Sequence, residues 1–163
     1  MSLNYNPDNA VAYAHKWAFS RNPRYYDFQN IGGDCTNFIS QCIYAGCHVM
    51  NDTPDLGWFY YSPKSRSAAW SGVAYLYRFL VANKGRGPYG HLAPLTEAGP
   101  GDVIQLSFDG ENYTHSLFVV KAGKNPEPQN ILIATHTYDA DNRALNTYTY
   151  RSHRLIRIDG ARL

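Results

Sequence analysis

Cys35 stands in Gly32-Gly33-Asp34-Cys35-Thr36-Asn37-Phe38, a stretch that puts a thiol in the first turn of an amphipathic helix, straight after two glycines. Helix N-termini present unpaired N–H groups and partial positive charge. Both favour thiolate over thiol, and so favour a nucleophile. The same N–H groups can stabilise the oxyanion of a tetrahedral intermediate, and the glycines let backbone approach a substrate closely. On local sequence alone, a small buried residue at a helix start is an equally good reading. Cys42 lies two helical turns on, within the apolar stripe, and reads as core. Cys47 follows the helix-ending Gly46 and has no motif around it. Three cysteines leave at least one thiol free, and the absence of any CxxC pair gives a structural zinc site little support.

A cysteine hydrolase needs an imidazole within hydrogen-bond reach. Of the six histidines, His115 has the best setting: Thr114-His115-Ser116-Leu117-Phe118-Val119-Val120 reads as a strand. Alternation puts His115 on the face of Leu117 and Val119. A histidine there is partly buried and rigidly held, which suits a base and equally suits a satisfied core residue. His136 ends Ile131-Leu132-Ile133-Ala134-Thr135-His136, on the face of Leu132 and Ala134. If the strands pair as a meander the two histidines become neighbours, and a polar neighbour can hold the base in the right tautomer. His15 reads as surface, and His48, His91 and His153 lie in loops or at element ends.

The elements that must position these groups follow from pattern. A helix is expected from about Asp8 to Phe19, capped by Asn6 with Pro7 in its first turn. A second begins at Asp34-Cys35, with Phe38, Ile39, Cys42 and Ile43 as its stripe and Gly46 at its end. Asp34 reads as its cap sooner than as a catalytic acid. Residues 51–67 read as a long aromatic surface loop, and a third helix as Ala68 to Ala82 with Ser67 as cap. Residues 85–100 look irregular. Strands are expected at Asp102–Phe108, Tyr113–Ala122 and Asn130–Tyr138, with Asp109-Gly110 as a hairpin turn. Asn146–Tyr150 and Arg154–Asp159 are two more candidates. Helices first and an antiparallel sheet after read as α+β.

Composition bounds the rest. The chain has 163 residues, the length of one domain, and 44% are hydrophobic, which argues against disorder. A net charge of +2 without a Lys/Arg cluster argues against a nucleic-acid partner. No apolar run is long enough to span a bilayer, and no secretory signal is visible. Met1-Ser2-Leu3 has the look of an expression scar. The 14 tyrosines suit edge-of-core positions, and also a groove that grips a polar polymer. Trp58, Phe59, Tyr60, Tyr61, Trp70 and Tyr89 are the groove candidates; Trp70 has an equally good case as core.

Gly-Gly-Asp-Cys-Thr-Asn-Phe-Ile-Ser-Gln resembles the nucleophile motif of the bacterial putative amidase domain family, a family related to NlpC-type and CHAP-type cell-wall peptidases of papain-like fold. The resemblance extends over most of the chain. It includes Tyr13-Ala14-His15-Lys16-Trp17, the stretch Arg21 to Phe28, Pro100-Gly101-Asp102-Val103-Ile104, Thr114-His115-Ser116 and Thr135-His136-Thr137. It implies a papain-like α+β fold with Cys35 as nucleophile, His115 as base and His136 as the polar orienter, with Asp139 and Asp141 as fallbacks. It also implies an oxyanion hole from the Cys35 N–H with Gln29 or Asn30 as second donor, and Asp34 among the residues flanking it. The activity implied is hydrolysis of an amide or peptide bond through a thioester, in cell-wall peptidoglycan, by a secreted or wall-associated monomer without metal or cofactor. A non-catalytic wall-binding module and an acyltransferase are the alternatives on the same fold, and a metal hydrolase is the remotest.

Overall fold

The computed structural model describes residues 4–163; the suspected scar, Met1-Ser2-Leu3, lies outside the described residues. Four helices and a short hairpin precede most of a six-stranded sheet. The helices are α1 (Pro7–Trp17), α2 (Cys35–Cys47), α3 (Ala68–Ser71) and α4 (Val73–Ala82). The hairpin pairs β1 (Tyr60–Ser62) with β2 (Ser65–Arg66). The sheet is built from β3 (Gly87–Ala93), β4 (Val103–Ser107), β5 (Tyr113–Lys121), β6 (Leu132–Thr135), β7 (Ala140–Ala144) and β8 (Ser152–Arg162). Its order is β3-β8-β4-β5-β6-β7, and every pair is antiparallel. The architecture is α+β, as the order of elements predicts.

α1 starts where expected, with the Asn6 side chain accepting from the Asn9 N–H at 3.1 Å. The expected third helix is two. Gly72 adopts an extended conformation (φ −111°, ψ 130°) between α3 and α4, and its missing Cβ leaves room for the Tyr75 ring, which would lie 2.9 Å away. Four strands escape sequence reading: the short β1–β2 hairpin interrupts the stretch expected as a loop over 51–67, and two strands of the main sheet are missed. β3 falls in the stretch that looks irregular, because Pro88 and two flanking glycines hide a strand at the sheet's edge, where proline is tolerated. β7 is polar and exposed on one side (Ala-Asp-Asn-Arg-Ala), while the Asn146–Tyr150 candidate begins in a 3₁₀ turn at Leu145–Thr147.

The sheet separates two apolar clusters. On one face Val103, Phe118, Val120, Ala134 and Ile156 pack against α1, α2 and α4. On the other, Ile104, Leu106, Leu117, Val119 and Ile133 are covered by Leu95, Leu145, Tyr148 and Tyr150. α2 is sunk between the other helices and the sheet: Thr36, Asn37, Ser40 and Gln41 are buried along with its apolar stripe. Each of these polar groups is bonded, as burial requires. Asn37 accepts from Trp70 Nε1 at 2.9 Å, Ser40 accepts from Trp58 Nε1 at 3.0 Å, and Gln41 accepts from the Tyr13 hydroxyl at 2.6 Å. A helix fixed in this way cannot drift, so its first residue is fixed too. No helix among the described residues is long and apolar enough to cross a membrane.

Candidate active site

Cys35 is the first residue of α2. Its thiol lies at a seam in the sheet. β6 pairs with β5 only from Phe118 onward. The start of β5 is therefore left without a ladder partner on that side. There the Ser116 carbonyl accepts from the Thr135 hydroxyl at 2.8 Å, and the Ser116 backbone N–H lies near enough to the Cys35 sulfur to favour its anion. The Thr36 and Ser116 hydroxyls, 2.9 Å apart, close the seam from the helix side. The thiol is thus clasped by the residue next to His115. His115 shares the face of Leu117 and Val119, as alternation predicts, and is 7% exposed. The gap between β5 and β6 brings the head of α2 to Ser116, the residue that precedes Leu117 and follows His115 on β5.

Both groups are neutral at rest. Burial pushes the Cys35 thiol above its ordinary range, and the adjacent Asp34 carboxylate adds to this; hydrogen bonds from Ser116 and Thr36 only partly offset it. The thiolate expected from a helix N-terminus is therefore not the resting form: desolvation outweighs the partial charge. Burial also lowers the His115 imidazole to about 4, with help from the Arg143 guanidinium. His115 is accordingly a free base at neutral pH. The Cys35 N–H donates to no acceptor among the described residues, so it is available to an oxyanion.

Asp34 holds the cap position of α2, but its carboxylate makes no bond to the helix backbone. Instead it accepts from the Phe28 N–H at 2.8 Å, from Asn37 Nδ2 at 2.8 Å and from His136 Nδ1 at 2.5 Å. His136 Nε2 donates to the Trp17 carbonyl at 2.8 Å, and its ring stacks on Phe38 at 4.0 Å. Both nitrogens of His136 are thus engaged on the helix side of the sheet, and neither faces His115. The fallback carboxylates are engaged as well: Asp139 takes the Arg21 fork at 2.9 and 3.0 Å, and Asp141 takes His15. The Asp34–His136 pair instead anchors the N-terminal end of α2, and with it Cys35. Gly33 supports the same anchor. Its φ is +98°, and a Cβ there would meet the Thr137 hydroxyl at 2.8 Å, the group that accepts from the Asp34 N–H.

The remaining candidates scatter. Gln29 accepts from Arg21 at 3.3 Å, and Asn30 is exposed in the turn before Gly32. Trp58 is fully buried against Trp70 and so offers no groove surface. Tyr60 belongs to the core and lines a separate cleft of about 400 Å³ with Tyr61. Tyr89 lies at the sheet's far edge, under the Arg162 guanidinium. A cleft of about 990 Å³ runs between the 51–69 segment and α4; it contains Phe59 but neither Cys35 nor His115.

Residues 4–158 match the family described as "Putative amidase domain". The chain belongs to that family. It is also 34% identical over 145 residues to "Uncharacterized protein YhbB" of Bacillus subtilis (strain 168), an overlap of 87% of this chain and 44% of that one. The chain therefore spans less than half the length of that curated relative. No solved structure matches.

Two further residues reach this seam, and sequence reading passes over both. Tyr148 follows the 3₁₀ turn, and its ring centroid is 6.0 Å from that of His115. Its hydroxyl is buried with no acceptor among the described residues, and a negative charge on Cys35 would push its pKa up. Arg143, on β7, lays its guanidinium 3.7 Å above the Tyr148 ring. No periodicity or motif marks them; the one signal is their place in a polar stretch between two strand candidates.

Proposed function

We propose that this amidase-family chain is a cysteine hydrolase that cleaves an amide or peptide bond, with Cys35 as nucleophile and His115 as base. The observation that carries the reading is the clasped thiol: Cys35 heads a buried helix, the hydroxyl of its neighbour Thr36 bonds that of Ser116 at 2.9 Å, and Ser116 is the neighbour of a buried, free-base His115. A thiol at the head of a helix laid on an antiparallel sheet that carries the histidine is a papain-like arrangement, and it supports the kinship with NlpC-type and CHAP-type enzymes.

His115 takes the Sγ proton as sulfur attacks the carbonyl carbon, and the Cys35 N–H receives the oxyanion. The imidazolium returns that proton to the amine as the C–N bond breaks, leaving a thioester. Water attacks next, giving its proton to His115, and collapse of the second intermediate releases acid and thiol. Both groups sit in one chain, so a single copy suffices. The resemblance to wall peptidases favours a peptide of the bacterial cell wall as the substrate and a site of action outside the cell membrane.

Cys35→Ala tests this on soluble wall fragments. The expected result is loss of amine release from a protein that still unfolds cooperatively, because the change removes one buried sulfur and no hydrogen-bonded anchor of α2. A folded Cys35→Ala protein that still turns over excludes the mechanism.

A further inference from the structure

Arg143 is half-buried on β7, beside Tyr148. Its Nε donates to the Thr147 hydroxyl at 2.7 Å and one terminal nitrogen to the Thr147 carbonyl at 3.2 Å. These bonds fix the guanidinium plane over Tyr148. They do not neutralise it: no carboxylate pairs with Arg143 among the described residues, whereas the half-buried Arg21 and Arg157 each hold an aspartate. Beside it the Tyr148 hydroxyl is buried and donates to no acceptor among the described residues. An unpaired cation and an unpaired donor, both held rigidly at a reactive thiol, are the two halves of an anion site.

From this juxtaposition of Arg143, Tyr148 and the Cys35–His115 seam we infer a carboxylate-binding subsite, so that the amide cleaved is one flanked by a free carboxylate. The inference rests on the cysteine-hydrolase reading and names its substrate class. Planar guanidinium matches carboxylate, and the phenol supplies a third donor. Occupancy has a second effect. Arg143 is one of the two causes holding His115 deprotonated; a bound carboxylate offsets that charge and makes His115 a stronger base just when substrate is present. The groups that face His115 are otherwise the Phe108 and Tyr148 rings and the neutral thiol seam. An acidic substrate therefore improves the base as it docks, and a neutral analogue leaves it weak.

Two small alkylating agents test the subsite without knowledge of the substrate. Iodoacetate carries a carboxylate and iodoacetamide does not. Their rates at Cys35, read by peptide mass spectrometry and each divided by the rate with a simple cysteine peptide, give a ratio in which the thiolate fraction cancels. The expected ratio favours iodoacetate by about tenfold, as one partly screened charge pair supplies. It falls to near unity in Arg143→Gln, recovers in Arg143→Lys, and shrinks in the wild-type protein as sodium chloride is raised. A ratio near unity in the wild type, or one unmoved by both Arg143→Gln and salt, overturns the subsite and leaves the nucleophile standing. Failure of both reagents to label Cys35 at any pH overturns the hydrolase reading itself, and the subsite with it.

Discussion

Asp34 is where the site and the fold share one set of contacts, and replacing it with alanine measures how much they share. Its carboxylate is 1% exposed and accepts three hydrogen bonds, from the Phe28 N–H, the Asn37 amide and His136. Asp34→Ala leaves the Phe28 N–H and His136 Nδ1 buried without a partner and takes one of the two acceptors of the Asn37 amide, which keeps the Tyr26 carbonyl. Breaking a buried, hydrogen-bonded pair by removing one member costs roughly 3–5 kcal/mol, and each orphaned neutral donor adds about 1–3 kcal/mol before relaxation. With water entry at the exposed Gly32 side allowed for, we expect a net loss of about 4 kcal/mol. In a domain of this size that lowers the melting temperature by roughly 8–16 °C. Asp34→Asn separates charge from hydrogen bonding. Its oxygen keeps Phe28 and Asn37, and its amide can donate to His136 Nδ1, because Nε2 already carries the proton given to the Trp17 carbonyl. We expect Asp34→Asn to lose about 1–2 kcal/mol. Urea unfolding at neutral pH, with unchanged slope, reads both variants. An alanine variant within about 1 kcal/mol of wild type would show that the pair does not anchor α2. An asparagine variant as damaged as the alanine one would show that the anchor needs a carboxylate's charge.

Two predictions concern protonation. His115 binds its proton near pH 4 in the folded chain against an ordinary 6.5, so between those values the unfolded chain takes up a proton that the folded one refuses. Stability then falls as pH drops through that window, by about 3 kcal/mol in all, and His115→Gln should flatten the curve by that amount; parallel urea-stability curves for the two proteins refute the burial argument. Iodoacetamide should label Cys35 slowly at neutral pH and faster only above the ordinary thiol range, since burial raises the thiol; rapid labelling of the unliganded protein near pH 6 would mean that a thiolate is already held at rest.

The legible parts of this protein are those where one local pattern decides. The Gly-Gly-Asp-Cys run marks the head of a helix because glycine frees the turn and apolar spacing resumes at Phe38, and the structure begins α2 at Cys35. Alternation alone places His115 with Leu117 and Val119. The parts that fail need information from distant residues. Asp34 looks like a cap because an aspartate before a helix usually is one, yet a histidine 102 positions away claims its carboxylate. His136 looks like a partner for His115 because it ends the neighbouring strand, but the same period-2 geometry that places His115 puts His136 on the helix side, against Phe38. Trp58 suggests a polymer groove by type, and its indole is instead the donor that satisfies the buried Ser40. Arg143 and Tyr148 carry no pattern at all, since a half-polar edge strand and the turn after it obey no period. A site residue on a regular element inherits that element's legibility; one held by an edge strand or a turn is visible only once the chain has folded around it.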